Sequence, residues 1–159
     1  GDMAVQLDQH GADGLVMFNR FFQPDIDIET MQMEPGVSLS SPLDGRLPRT
    51  WIASLRGRVR ASLAGSSGVE GSEDVVKYLL AGADVVMTTS SLVRNGVNHA
   101  EALLDGLRSW MVHKDFASVD EFRGMLALPV DIDAEQYERQ GYVVALEQAK
   151  ARYGSLAGL

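Results

Sequence analysis

The residues best suited to chemistry lie in two short runs of small side chains, Gly65-Ser66-Ser67-Gly68 and Thr88-Thr89-Ser90-Ser91. Such residues let a backbone turn tightly and leave its N–H groups accessible, so two neighbouring turns of this kind offer a cradle of donors for a phosphate. Ser67, Gly68, Thr89 and Ser90 are the candidate ligands, chiefly through main-chain nitrogens with hydroxyls as supplements. Any tight turn from a strand into a helix favours the same composition, so the pattern alone fits a purely structural turn equally well.

Other constellations carry less. His10, His99 and His113 are never three or four residues apart, which argues against a zinc site. Asp25, Asp27 and Glu29 alternate like a cation loop but lack the glycine and closing glutamate of a calcium hand, so a solvated loop is expected. Ser66 and Ser67 have no G-x-S-x-G context and do not form a hydrolase elbow. The absence of cysteine removes disulfides, thiolate metal sites and a thiol nucleophile, and suits a reducing, cytoplasmic setting.

The elements that would position the two turns can be read from the flanking residues. Leu15 to Phe18 form a short continuous apolar run, as expected of a strand buried on both faces of a parallel sheet. A second strand is predicted over Val59 to Ala64, and a third begins at Val85, Val86 and Met87. Between these two, Ser72 can cap a helix that has Glu73 and Asp74 in its first turn and Val75, Val76, Leu79 and Leu80 on its apolar face, closed by Gly82. The order is strand, small-residue turn, helix, strand, small-residue turn, with spacing that suits right-handed crossovers.

Around this centre, residues 1 to 10 read as a helix with Met3 and Leu7 on one face and Gly11 as its stop. Residues 23 to 48 hold Pro24, Pro35, Gly36, Pro42, Gly45 and Pro48, which predicts a long loop with at most short strands, a feature often functional. A helix is expected from Pro48 through Trp51, Ile52 and Leu55 to Gly57. Beyond Gly96 the chain turns helical. Ala100, Leu103, Leu104, Leu107, Trp110 and Met111 mark one buried stripe, Ser118 caps a short helix through Phe122 and Met125, and Asp133 with Gln136 opens a last helix to about Tyr153.

Across its 159 residues the chain is 45% hydrophobic and 23% charged, the balance of a folded globular protein rather than a disordered one. One domain is expected, alternating strands and helices over residues 1–96 and helical over 97–159. A formal charge of −8 disfavours nucleic acid and anionic membrane as partners, and no apolar run reaches the length of a membrane span. Arg46, Arg49, Arg56, Arg58 and Arg60 could form a local basic patch facing an anionic ligand, but the plainer reading is the solvated side of a helix and strand.

Four segments in order, GADGLVMFNR, GSSGV, SEDVVKYLLAGADVVMTTS and GLRSWMVHKDFASVDEFRG, resemble the C-terminal half of dihydroorotate dehydrogenases, with coverage to about Gly124. The resemblance implies an α/β fold: the C-terminal portion of a TIM barrel, about three parallel strands with crossover helices, followed by C-terminal helices. It makes these strands the sixth, seventh and eighth of the barrel and implies FMN as cofactor. Asn19 then matches an asparagine that contacts a pyrimidine substrate. Ser67 and Gly68, with Thr89 and Ser90, match the glycine-rich pairs that hold the FMN phosphate, and Ser40 and Ser41 match a stretch near the flavin.

Departures from the family pattern shape the expectation. Ser67 and Thr89 stand where the family has glycines, and Arg20 stands where it has a small hydroxyl residue. The catalytic base and a flavin-contacting lysine belong to the family's first half, which has no counterpart here. The chain is therefore expected to be part of an FMN-dependent oxidoreductase converting dihydroorotate to orotate in pyrimidine biosynthesis, inactive by itself. Its partner would be the missing N-terminal half of the barrel or further copies of itself. The alternatives are a non-catalytic phosphate-binding or self-assembling fragment and a look-alike dehydrogenase with another substrate.

Overall fold

The computed structural model describes residues 1–19, 23–36, 38–132, 142–144 and 146–150. Residues 1–127 form one compact unit and 128–159 a second. In the second, residues 142–144 and 146–150 are helical, while Asp133, Gln136, Tyr137 and Tyr153 lie outside the described residues, as does Arg20.

Helix α1 (Asp2–Gln9) leads into strand β1 (Gly14–Met17). A small antiparallel hairpin follows, β2 (Asp25–Asp27) and β3 (Gln32–Glu34), and then a 3-10 turn at Pro42–Gly45 that runs into α2 (Arg46–Leu55). Next come β4 (Ser62–Gly65), α3 (Ser72–Ala81), β5 (Val85–Val86), α4 (Ser90–Asn95) and α5 (His99–His113). Strands β1, β4 and β5 form a parallel sheet in that order, with Met17 opposite Gly65 and Gly65 opposite Val86. The parallel order and the helices between its strands match the expected barrel portion.

Met17, Ile52, Leu55, Leu63, Tyr78 and Ala83 are buried together where α2 and α3 cover one face of the sheet. Tyr78 reaches the sheet because β4 ends in glycine: a Cβ on Gly65 would lie 2.3 Å from the Tyr78 ring. Gly106 plays a similar part between helices, since its Cβ would fall 2.2 Å from Ser72 Oγ. Trp110, Phe116 and Phe122 close the far side of α5 as an aromatic cluster, with Trp110 and Phe122 centroids 5.0 Å apart in a T-shaped pair.

Several expectations need correction. The Leu15 to Phe18 run is not buried on both faces: Met17 is buried but Val16 is 58% exposed, because β1 is an edge strand here. The α2 helix starts at Arg46 rather than Pro48, and proline fits its first turn because that turn's N–H groups have no intrahelical acceptor. The α3 cap is Gly71, not Ser72; Asp74 Oδ2 accepts from the N–H groups of Glu70 (3.2 Å) and Gly71 (3.3 Å) instead. Within the predicted α5 stripe only Leu103 is fully buried, and Ala100 and Leu104 face outward. The contact is made through the Gly106 notch, which an apolar count overlooks. The acidic segment Asp25 to Glu29 holds its own turn: Asp27 accepts from Thr30 Oγ1 (2.8 Å) and the Glu29 N–H (2.9 Å), which keeps its carboxyl below the usual range.

Candidate functional site

The two small-residue turns meet at the C-terminal edge of the sheet. The first leaves β4 and the second leaves β5, so parallel pairing brings them side by side. Between them and the segment before α2 lies an open cleft of about 440 Å³, lined by Asn19, Ser40, Ser67, Thr89 and Ser90 together with Gln23, Ser38, Ser66 and Thr88. Five of the seven residues proposed from sequence thus share one cleft. Ser41 and Gly68 are not among its lining residues.

Each of those two has a local reason. Ser41 faces Asp44, whose Oδ2 accepts from the Ser41 N–H (2.7 Å) and hydroxyl (3.0 Å), starting the 3-10 turn. The Ser41-x-x-Asp44 spacing is a capping pattern that sequence could have disclosed. Gly68 sits beneath that segment with φ +66, and a Cβ there would lie 2.3 Å from Gly45 N and 2.9 Å from Ser41 O. Its requirement for glycine is met by backbone packing.

Ser40 joins the parts. Its N–H and hydroxyl both donate to Ser90 Oγ (3.0 and 2.9 Å), and its own oxygen accepts the Gly68 N–H at 3.2 Å. Arg94, one turn further along α4, donates to Ser40 O (2.8 Å) and Leu39 O (3.2 Å). Thr88 Oγ1 donates to Val69 O (3.0 Å) and pairs with the buried Ser91 hydroxyl at 2.7 Å. His99 Nε2 lies 2.8 Å from Glu70 O, and since a carbonyl only accepts, the proton belongs on Nε2. His99 is thus a helix-end residue with a structural partner.

Turn geometry bears on the two positions where glycine is replaced. Ser67 has φ +76, the left-handed region that a side chain disfavours, and its hydroxyl donates to Phe18 O at 3.0 Å. Thr89 has φ −130, a value a side chain adopts without strain. Among the described residues the N–H groups of Ser67, Thr89 and Ser90 take no backbone acceptor. They are donors of the kind an anion needs.

Among the described residues that line this cleft none carries an acid or base: they are neutral amides, hydroxyls, glycine or apolar side chains. A proton acceptor for dehydrogenation is therefore missing from the described wall. A second, more apolar hollow of about 340 Å³ opens on the other side of Asn19 and Ser67, against Phe18, Leu47, Pro48 and Trp51. Among the described residues no three acidic or histidine side chains gather as a metal site.

The arginines were only partly legible. Arg60 is exposed as expected, but Arg49 reaches the buried Asp74 at 3.3 Å and lies over the Tyr78 ring at 5.5 Å. Arg56 holds Asp84 at 2.9 and 3.0 Å. These two arginines are structural links rather than a solvated face. Sequence reasoning also missed Asp44, Tyr78, Asp84, Arg94 and helix α4; for Tyr78 and Asp84 no local signal existed.

Comparison with known proteins agrees with the barrel assignment. No family model matches the chain. It is 28% identical over 124 residues to the quinone-type dihydroorotate dehydrogenase of Rhizobium rhizogenes, covering 77% of this chain and 34% of that protein. It is 30% identical over 99 residues to the catalytic subunit of dihydroorotate dehydrogenase B (NAD(+)) of Oceanobacillus iheyensis, covering 59% and 32%. It is 28% identical over 91 residues to the chloroplastic dihydropyrimidine dehydrogenase (NADP(+)) of Arabidopsis thaliana, covering 57% and 21%. A crystal structure of ligand-free dihydroorotate dehydrogenase from Eimeria tenella superposes with a TM-score of 0.66 at 22% identity, covering 80% of this chain and 36% of that one.

The fold is a portion of a TIM barrel, and the chain is dihydroorotate dehydrogenase-like in sequence and in structure. It spans about a third or less of the length of these relatives. Among the described residues no helix is long and apolar enough to cross a membrane.

Proposed function

We propose that this chain is the phosphate-holding portion of an FMN-dependent oxidoreductase of the dihydroorotate dehydrogenase type, contributing the sixth to eighth strands of its barrel. The observation that carries this reading is the convergence of the β4 and β5 turns on one neutral cleft at the C-terminal ends of parallel strands, where barrel enzymes bind phosphate. The amides of Ser67, Thr89 and Ser90 suit a phosphate dianion, with the hydroxyls of Ser40 and Ser90 as adjustable partners. Ser41 acts one step back, through Asp44, and Gly68 supplies the close packing that lets the strap from Ser38 to Gly45 approach.

When bound, the flavin would supply hydride acceptance. This chain's part is to anchor its phosphate and, through exposed Asn19 on the rim, to offer an amide to a pyrimidine-like substrate. With no acid or base among the described residues that line the cleft, turnover calls for groups from elsewhere, and the reading includes an inactive isolated chain in a cytoplasmic, membrane-free setting.

The open sheet edges favour a partner. Val16 on β1 and Val85 beside Met87 at β5 are about half exposed, and unpaired parallel edges are costly in water. The remaining strands of the barrel would cover both; self-assembly into a non-catalytic oligomer is the second reading, and mass measurement in solution separates them.

Purification without added cofactor followed by titration with FMN, read by flavin fluorescence, tests the central proposal. Saturable quenching that inorganic phosphate competes away is the expected result. No quenching at millimolar FMN, with the protein folded by circular dichroism, would remove it.

A further inference from the structure

Beneath the first turn lies a tyrosine that the chemistry described so far does not use. Tyr78 is fully buried on α3, yet its hydroxyl lies 2.8 Å from both Ser66 O and Ser67 O and donates between them. Both peptides that follow are trans, and in a trans peptide the C=O and N–H point in opposite directions. Holding these two carbonyls inward therefore turns the N–H groups of Ser67 and Gly68 outward. The second of them confirms the direction, because Gly68 N–H meets Ser40 Oγ on the strap side at 3.2 Å.

The geometry points to Tyr78 as the positioning residue of the anion cradle: its hydroxyl clamps the Ser66 and Ser67 carbonyls and so turns the Ser67 amide to the cleft and the Gly68 amide to the Ser40 strap. This deepens the phosphate reading above and rests on it. The clamp also accounts for a serine where φ is +76, since a side chain in the left-handed region persists only when its surroundings hold it there. Ser67 Oγ on Phe18 O is one such hold, and the tyrosine is the other. Ser40 Oγ accepts the Gly68 amide at 3.2 Å, which ties the turn to the strap.

The supporting residues fit this role. Gly65 removes the Cβ that would collide with the ring, and Arg49 lies over the ring face while pairing with Asp74. Burial pushes the phenol up to about 12, with Arg49 opposing and Asp74 adding to the shift, so the group remains a donor throughout the neutral range. A phenylalanine would fill the same space and leave two carbonyls without their donor.

The test uses the full chain and Tyr78→Phe, with FMN and inorganic phosphate as probes and amide NMR as a second readout. Tyr78→Phe should weaken both ligands about 10-fold, and shift and speed exchange of the Ser67 and Gly68 amides while leaving Thr89 unchanged. Asp84→Asn, remote from the cleft, should lower the melting temperature without changing affinity, which separates positioning from general destabilisation. If the wild type binds FMN and Tyr78→Phe binds equally well, the proposal is overturned while the phosphate site stands. If the wild type binds neither probe, the phosphate reading fails and the positioning role falls with it, an outcome distinct from equal binding by wild type and variant. Should the variant prove insoluble, the same comparison in a Ser67→Gly background, which removes the strained side chain, keeps the test decisive.

Discussion

The two ends of the parallel sheet are built from different chemistry. At the N-terminal end, charges lock helices to strands: Asp84 accepts from Leu63 N–H (2.9 Å) and Arg56, with Arg123 at 3.5 Å. Asp8 of α1 accepts from the N–H groups of Arg60 (3.0 Å) and Ala61 (2.8 Å) just before β4. At the C-terminal end the contacts among Ser40, Ser90, Thr88 and Ser91 are between neutral hydroxyls and amides. The Asp44 carboxylate at this end is taken up by Ser41, and on the phosphate reading the hydroxyls would exchange partners for an anion. On the phosphate reading one end is organised for stability and the other keeps donors for a ligand, the usual division in a barrel.

The sharpest break of that contrast would come from Gly68, where backbone packing rather than ligand contact sets the requirement. Gly68→Val should cost about 3 kcal/mol or more, combining a left-handed φ with a Cβ against Gly45, and urea melts would read it. Loss of FMN binding in that variant would follow from displacement of the strap, so it says little about direct contact.

Asp84→Asn should come next, at about 2 kcal/mol, because it removes a charge-assisted pair that is only partly exposed. Burial pushes the Asp84 carboxyl up, but the Leu63 N–H, Arg56 and Arg123 outweigh it and hold the group below the usual carboxylate range. A folded-state value below the unfolded one adds stability above pH 4 or so that is lost as pH falls through the folded value. The variant should therefore show a flatter acid limb in melting temperature against pH; an unchanged limb would mean the charged end does not carry acid stability.

Arg94→Met should cost only about 1 kcal/mol, since two exposed-side hydrogen bonds to the strap are lost, but it should loosen the strap and alter FMN affinity. An effect on stability with none on binding would weaken the view that the C-terminal end is the adjustable one. Smallest of all, Arg60→Ala should change stability by less than about 0.5 kcal/mol, because its guanidinium is exposed and 3.9 Å from Asp8. The backbone amides, not this side chain, do the work at Asp8, and Asp8→Asn against Arg60→Ala in thermal melts separates the two.

Much of the fold was legible in local residues. Apolar runs of strand length, small-residue turns, Gly82 as a helix stop and the Pro-rich loop with short strands all emerged where periodicity and turn chemistry placed them. Boundaries slipped by a few residues where pairing, not composition, ends an element, as at β4, which begins at Ser62 rather than Val59. Helix α4 falls where composition predicts only a turn, because its six residues are too few to show an apolar stripe and open on two serines.

By itself the sequence determined the alternation of strand and helix and the composition of the two turns, because these depend on backbone sterics and on neighbours a few residues away. Only the tertiary structure decided that Ser40 reaches Ser90 across 50 residues, that Tyr78 lies under Ser66 and Ser67, and that Asp84 meets Arg56. Those contacts arise when parallel strands and crossover helices are packed into one register, and no property of the individual segments encodes the distance between them.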